Sequence, residues 1–74
     1  MNPLNALAEA RRQVGDAEHR VAEQRYHVET MRREGHDTQK AEALLVTFEE
    51  TLGTMRERLE FKRREAIRSH SAEA

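Results

Sequence analysis

The 74-residue chain has no cysteine and no tryptophan, one proline and three glycines, and aromatic residues make up 4% of it. Without cysteine, no disulfide and no thiolate metal site braces the fold. A chain this short forms one small domain at most, and a single core of that size supplies ~3–5 kcal/mol. Its longest apolar run, residues 43–46, is far shorter than the roughly 20 residues of a membrane span. The first five residues lack the pattern of a signal peptide, so we expect a cytoplasmic protein with no membrane contact.

Charged residues are abundant and almost balanced. They make up 36% of the chain, with 13 basic and 14 acidic residues and a net charge of −1. Such a balance gives no overall attraction to nucleic acid or to anionic lipid. Ala, Glu, Lys, Leu and Arg together account for more than half of the chain. That composition is typical of coiled coils and long helices.

Apolar positions recur at alternating steps of three and four residues in two separate segments. This spacing is a heptad pattern, and it predicts two helices that each present one apolar seam. We call them arm 1, about residues 3–34, and arm 2, about residues 38–69, and we expect the tail 70–74 to fray. The seam of arm 1 comprises Leu7, Ala10, Val14, Ala17, Val21, Gln24, Val28 and Met31. The seam of arm 2 comprises Ala41, Leu45, Phe48, Leu52, Met55, Leu59, Lys62 and Ala66.

A short turn at residues 35–38 separates the two arms. Gly35 suits the left-handed conformation that ends a helix, and either Asp37 or Thr38 can accept from the free N–H groups that open the next one. At the amino end, Asn2 followed by Pro3 predicts the start of arm 1. A turn this short forces an antiparallel return, which pairs residues whose numbers sum to about 73, or to a value about three residues different if a positions layer on d positions. The predicted fold is therefore all-α, an antiparallel two-helix hairpin of coiled-coil type.

The two seams are unequal in width. Arm 1 offers small side chains and the polar Gln24, whereas arm 2 offers bulky ones that arm 1 cannot cover. We therefore expect a homodimer that forms a four-helix bundle, or contact with a protein partner. The alternative is that these are scattered surface apolar residues, which are ordinary. The predicted interface consists of Leu44, Leu45, Phe48, Leu52, Met55, Leu59 and Ile67.

Gln24 has two interpretations that the sequence leaves open. It is either a buried amide that fixes the register of the two helices or a polar residue at a wet edge of the seam.

Residues suited to catalysis are scarce. The only serines are Ser69 and Ser71, and no glycine-rich loop resembles a phosphate cradle. One stripe of metal-binding residue types follows arm 1, and we interpret it as a solvated polar face: Asp16, His19, Glu23 and His27. We therefore predict no enzymatic activity, no cofactor and no metal site.

A basic segment at residues 56–68 leaves a second function open. Antiparallel pairing brings Arg11 and Arg12 to the same open end, where the positive charge can contact phosphates. Acidic residues dilute this charge, and few aromatic residues are present for base stacking. A nucleic-acid-associated accessory protein is therefore the alternative to a protein that acts through helix–helix contacts.

The turn and the start of arm 2 carry a family resemblance. A Gly-His-Asp-Thr turn at residues 35–38 precedes the pattern Ala-x-Ala-Leu-Leu-x-x-Phe-Glu at residues 41–49. This combination resembles a group of short uncharacterised proteobacterial helical-hairpin proteins, and the likeness covers roughly residues 11–64. The resemblance implies a helical hairpin in a bacterial cytoplasm. It implies no activity and carries no functional residue to this chain.

Overall fold

A computed structural model describes residues 3–73, with side chains described as far as Ser69. Helix α1 spans Pro3–Arg33, and helix α2 spans Gln39–Glu73. The two helices pack against each other in antiparallel directions and form a rod that measures 60 × 15 × 14 Å. This confirms the all-α helical hairpin. Within the described residues, neither helix has an apolar stretch of the length that spans a bilayer.

The turn between the helices is fixed by local hydrogen bonds. Gly35 has a φ of 78°, and its N–H donates to the carbonyl of Arg32, while the N–H of His36 reaches back to the carbonyl of Met31 at 2.9 Å. This pair of bonds is the Schellman ending of a helix, for which glycine is the favoured residue. At the start of α2, the backbone N–H of Gln39 donates to Oδ1 of Asp37 at 3.0 Å. Of the two candidate side-chain acceptors, Asp37 is therefore the one in use.

All sixteen predicted seam positions are buried or half-buried. The centre of the core joins the buried residues Val14, Ala17, Val21 and Leu52. Larger side chains of α2 pack against this centre and stay partly exposed: Leu45, Phe48, Met55 and Leu59. Five of the six buried residues belong to α1, because its small side chains fit underneath the larger ones of α2. No described side chain is less than 2% exposed, so the core is thin.

Helix α2 continues to Glu73, which corrects the predicted end at about residue 69. After Gly53 the chain contains neither glycine nor proline, and its Ala and Glu residues favour the helix. The predicted fraying of residues 70–74 stays a prediction, and Ala74 lies outside the described residues. Asn2, the predicted cap of α1, also lies outside them.

Leu52 and Val46 provide a matched test of the core. Leu52 is 8% exposed and Val46 is 53% exposed on the same helix. Leu52→Ala should lower the free energy of unfolding by ~2–5 kcal/mol, since it leaves a cavity in the centre of the core. Val46→Ala should change it by less than ~0.5 kcal/mol. Chemical denaturation measures both, and equal losses would contradict the assigned seam.

Two glycines should respond to alanine in opposite directions. Gly35→Ala forces a side chain into the left-handed region, at a cost of ~1–2 kcal/mol. Gly53 lies inside α2 with open space around it. Gly53→Ala should therefore stabilise the hairpin by ~0.5–1 kcal/mol. Thermal unfolding of the two variants tests this, and stabilisation by Gly35→Ala would refute the role given to the turn.

Candidate association surface

One flank of the seam carries three ion pairs between the helices, which we call the ion-pair ladder. Arg56 lies 3.4 Å from Glu18, Arg25 lies 3.9 Å from Glu49, and Arg32 bonds Glu42. The residue numbers of each pair sum to 74, and successive pairs are seven residues apart on each helix. The ladder therefore follows the heptad repeat, and its sum of 74 fixes the register that the sequence leaves open within about three residues.

The ladder contributes more to the alignment of the two helices than to the stability of the hairpin. All six of its side chains are about half exposed to solvent. Exposed ion pairs contribute about 0–1 kcal/mol each because water screens them. A slip of one residue would separate all three pairs at once, so together they favour one register.

Gln24 holds the register from within the seam. Its Nε2 donates to the backbone carbonyl of Ala41 at 2.8 Å, from a half-buried side chain. This bond ties the second half of α1 to the first turn of α2. The geometry favours the interpretation of Gln24 as a register-setting amide over that of a polar residue at a wet edge.

The ladder does not continue to the open end of the hairpin. Its fourth rung pairs Arg11 with Arg63, two exposed residues of the same charge. Arg63 is instead 3.6 Å from Glu60 of its own helix, and Arg11 makes no ion pair with any described residue. Nearby, the half-buried Lys62 occupies a seam position, 5.9 Å from the ring of Phe61. The open end is thus the least well closed part of the seam.

The opposite flank lacks such a ladder, and we call it the open face. No ion pair crosses it between the described residues of the two helices. It holds a groove of about 280 Å³ lined by Gln13, Asp16, Ala17, Arg20, Thr47, Phe48, Thr51 and Met55. A cavity of about 790 Å³ continues the groove towards the open end, where Gln13, Ala10 and Phe61 line it. Leu44, at the same heptad position as Thr51, extends the open face towards the turn.

The predicted interface residues occupy three different environments. Leu52 is buried between the helices, so the hairpin itself covers it. The half-buried group is Leu45, Phe48, Met55 and Leu59, each of which keeps part of its surface for a further contact. Leu44 and Ile67 are exposed. By heptad position, Leu44 belongs to the open face, whereas Ile67 lies on the side of the ladder.

The predicted interface leaves out Phe61, Asp16 and Arg20, which line this surface. Phe61 is 59% exposed and lies off the seam. Its heptad position is next to the one that Leu44 and Thr51 occupy, and this is the signal that assigns it to the open face. The same rule places Asp16 and Arg20 on that side of α1.

The polar stripe of α1 does not form a metal site. Asp16, His19, Glu23 and His27 are all exposed. His19 contacts Glu23, and Asp16 accepts from Arg12 at 3.2 Å. Among the described residues, no group of three His, Asp or Glu side chains is close enough to hold a metal ion.

Arg12 is occupied within its own helix. It donates to Glu9 and to Asp16. The hydrogen bond from Arg12 lowers the pKa of the exposed Glu9 carboxyl, and the same bond raises the pKa of Arg12. Arg12 therefore adds less free positive charge to the open end than the sequence predicts.

Arg11→Glu should complete the ladder. It replaces a like-charged rung with a Glu–Arg pair, and Arg11 has no charged neighbour three or four residues away that the change would disturb. We expect stabilisation of ~0.2–1 kcal/mol in low-salt thermal or urea unfolding. A second change, Arg63→Gln, should abolish this gain. A gain that survives Arg63→Gln would mean that residues 11 and 63 do not face each other.

Comparison with known proteins adds no relative. No family model matches the chain, and no curated protein and no solved structure matches it. The function must therefore be argued from the residues of the hairpin. The open face is the feature of this surface that the fold itself leaves incomplete.

Proposed function

We propose that the protein is a non-enzymatic helical-hairpin module that acts by self-association, with a second copy of the chain covering its open face. Helix–helix contact of this kind requires no cofactor. A four-helix bundle is the simplest closed assembly of two hairpins. We retain a bacterial cytoplasm as its setting, on the strength of the resemblance in the turn and arm 2.

The surface area of the hairpin is the observation that carries this proposal. Its accessible surface is 5866 Å² for a mass of 8.6 kDa. A compact monomer of that mass exposes about 4,700 Å², so the excess is about 1,200 Å². A standard protein interface buries about 800 Å² on each partner. One interface along the open face is therefore of the right size to remove most of the excess.

The distribution of apolar side chains supports the same conclusion. Helix α1 hides its small seam residues, and the larger residues of α2 remain partly exposed above them. On the open face, the half-exposed Phe48 and Met55 line a groove instead of packing against a third element. A helical surface laid on this groove would bury their remaining apolar area, which is the main source of association energy.

Phe61→Ser and Val46→Ser provide a matched test of self-association. The two residues are 59% and 53% exposed, so neither change disturbs the core. Phe61 lines the open face, and Val46 lies on the side of the ladder. In sedimentation equilibrium we expect a dimer for the parent chain, a dimer at least about tenfold weaker for Phe61→Ser, and an unchanged dimer for Val46→Ser.

The concentration dependence of unfolding checks the same proposal independently. Because association is linked to folding, the melting temperature should rise with protein concentration. A monomer at micromolar concentration whose melting temperature does not depend on concentration would overturn self-association.

A nucleic-acid-associated role remains the second candidate, and the failed fourth rung is the observation in its favour. Arg11, Arg58 and Arg68 make no ion pair with any described residue, and all three lie towards the open end. Guanidinium groups without carboxylate partners are available to phosphates. Fluorescence anisotropy with duplex and single-stranded oligonucleotides tests this role: affinity should fall with salt and with Arg11→Gln. The nucleic-acid role would be refuted by an affinity that changes neither with salt nor with Arg11→Gln. It would also be refuted by the absence of binding at low salt.

A further inference from the structure

We infer that two hairpins meet open face to open face in antiparallel orientation, with their turns at opposite ends. The two-fold axis crosses the rod near Glu18 of α1 and Met55 of α2, so that each helix lies on its own copy. This arrangement places Asp16 against Arg20 of the second copy and Phe48 against Phe61 of the second copy. The inference rests on the proposed self-association and adds the orientation and the contacts.

The position of the axis follows from the register of the hairpin. In an antiparallel pair of identical helices, the midpoint of any two residues that meet lies on the axis. For Asp16 and Arg20 this midpoint is residue 18, and for Phe48 and Phe61 it lies between residues 54 and 55. The ladder places residue 18 level with Arg56. The two midpoints therefore agree to within two residues, or about 3 Å along the rod.

This level is also the middle of the hairpin. Residue 18 is the central residue of α1, Pro3–Arg33, and residue 56 is the central residue of α2, Gln39–Glu73. An axis at this level therefore overlaps the two rods along their whole described length. Full overlap buries the largest area that two such hairpins can share.

The charges on the open face suit this arrangement. Arg20 is exposed, lines the groove and makes no ion pair with any described residue of its own chain. Asp16 lines the same groove. In the antiparallel contact, Arg20 of each copy meets the carboxylate of Asp16 of the other copy. The two-fold symmetry therefore gives two such pairs, one on each side of the axis. It also brings Glu9 level with His27 of the second copy, so no like charges meet along α1.

The aromatic residues are complementary in the same way. Phe61 is exposed beside the cavity at the open end, and Phe48 lines the groove at the other side of the axis. In the antiparallel contact, Phe61 of each copy packs against the groove of the other copy, at the end where Phe48 lies. Two aromatic pairs then form, and aromatic contacts are among the stronger contributions to an interface.

The parallel orientation, with both turns at one end, is less favourable. It lays α1 of one copy on α2 of the other at the same level. By the ladder register, Phe61 then meets the region of Gln13, and Arg20 meets the region of Thr54. Phe61 would then lie level with a polar side chain, and Arg20 would lie level with an uncharged one.

A charge exchange between two variants tests the orientation. Asp16→Arg makes this patch positive, and Arg20→Asp makes it negative. Each variant alone should dimerise about tenfold more weakly than the parent chain, because both symmetric contacts become repulsive. An equimolar mixture should restore parent-like affinity, because every contact between the two variants is complementary. Circular dichroism of each variant controls for helix content, since Asp16 also accepts from Arg12.

Disulfide trapping gives a second readout, because the chain has no cysteine of its own. Thr54 is exposed, lies on the same side as Phe61, and is next to the inferred axis. Thr54→Cys should form a covalent dimer on mild oxidation. Ala22→Cys, on the side of the ladder, should remain monomeric in denaturing electrophoresis.

The outcomes of these experiments distinguish a failure of the antiparallel orientation from a failure of self-association. A dimer in which mixing restores nothing and Thr54→Cys does not cross-link would overturn the antiparallel orientation but leave self-association intact. A parent chain that is monomeric in sedimentation equilibrium would overturn both.

Discussion

The structure depends on the unequal size of the side chains that its two helices bring to one seam. Helix α1 supplies Val and Ala, and helix α2 supplies Leu, Phe and Met. Small residues allow the helices to approach closely, but they cannot cover the bulk opposite them. The buried residues therefore lie almost entirely on α1, whereas the half-buried residues packed against the core, and four of the six exposed large apolar residues, lie on α2. A hairpin built in this way has a defined shape and an incomplete core.

Polar contacts decide which side of the seam stays open. The ladder of Glu18–Arg56, Arg25–Glu49 and Arg32–Glu42 lines one flank with charge, around a cavity of about 350 Å³. The other flank has no equivalent ladder among the described residues, and there the groove beside Phe48 and Met55 is accessible. The turn at Gly35 and the bond from Gln24 fix the register of the two helices.

Heptad spacing alone is sufficient to predict the fold, because each seam residue in a long amphipathic helix points to the same side. It predicts every seam position and the turn, and it restricts the register to within about three residues of the observed one. It does not predict the end of α2, since Ala and Glu in the tail favour a helix without an apolar signal. It places Leu52 both in the seam and in the predicted interface, and the structure shows it buried within the hairpin. Heptad positions place Phe61 and Arg20 on the same flank, and the cross-helix ion pairs show that the ladder lies on the other one.

Small-angle X-ray scattering tests the central claim most directly, since it reports mass and length together. If a second copy covers the open face along the whole rod, the particle should have twice the 8.6 kDa chain mass and a maximum dimension that remains close to the 60 Å of one hairpin. A particle with the mass of a single chain would contradict the account. A dimer of about twice that length would also contradict it, because the hairpins would then meet end to end and leave the open face uncovered.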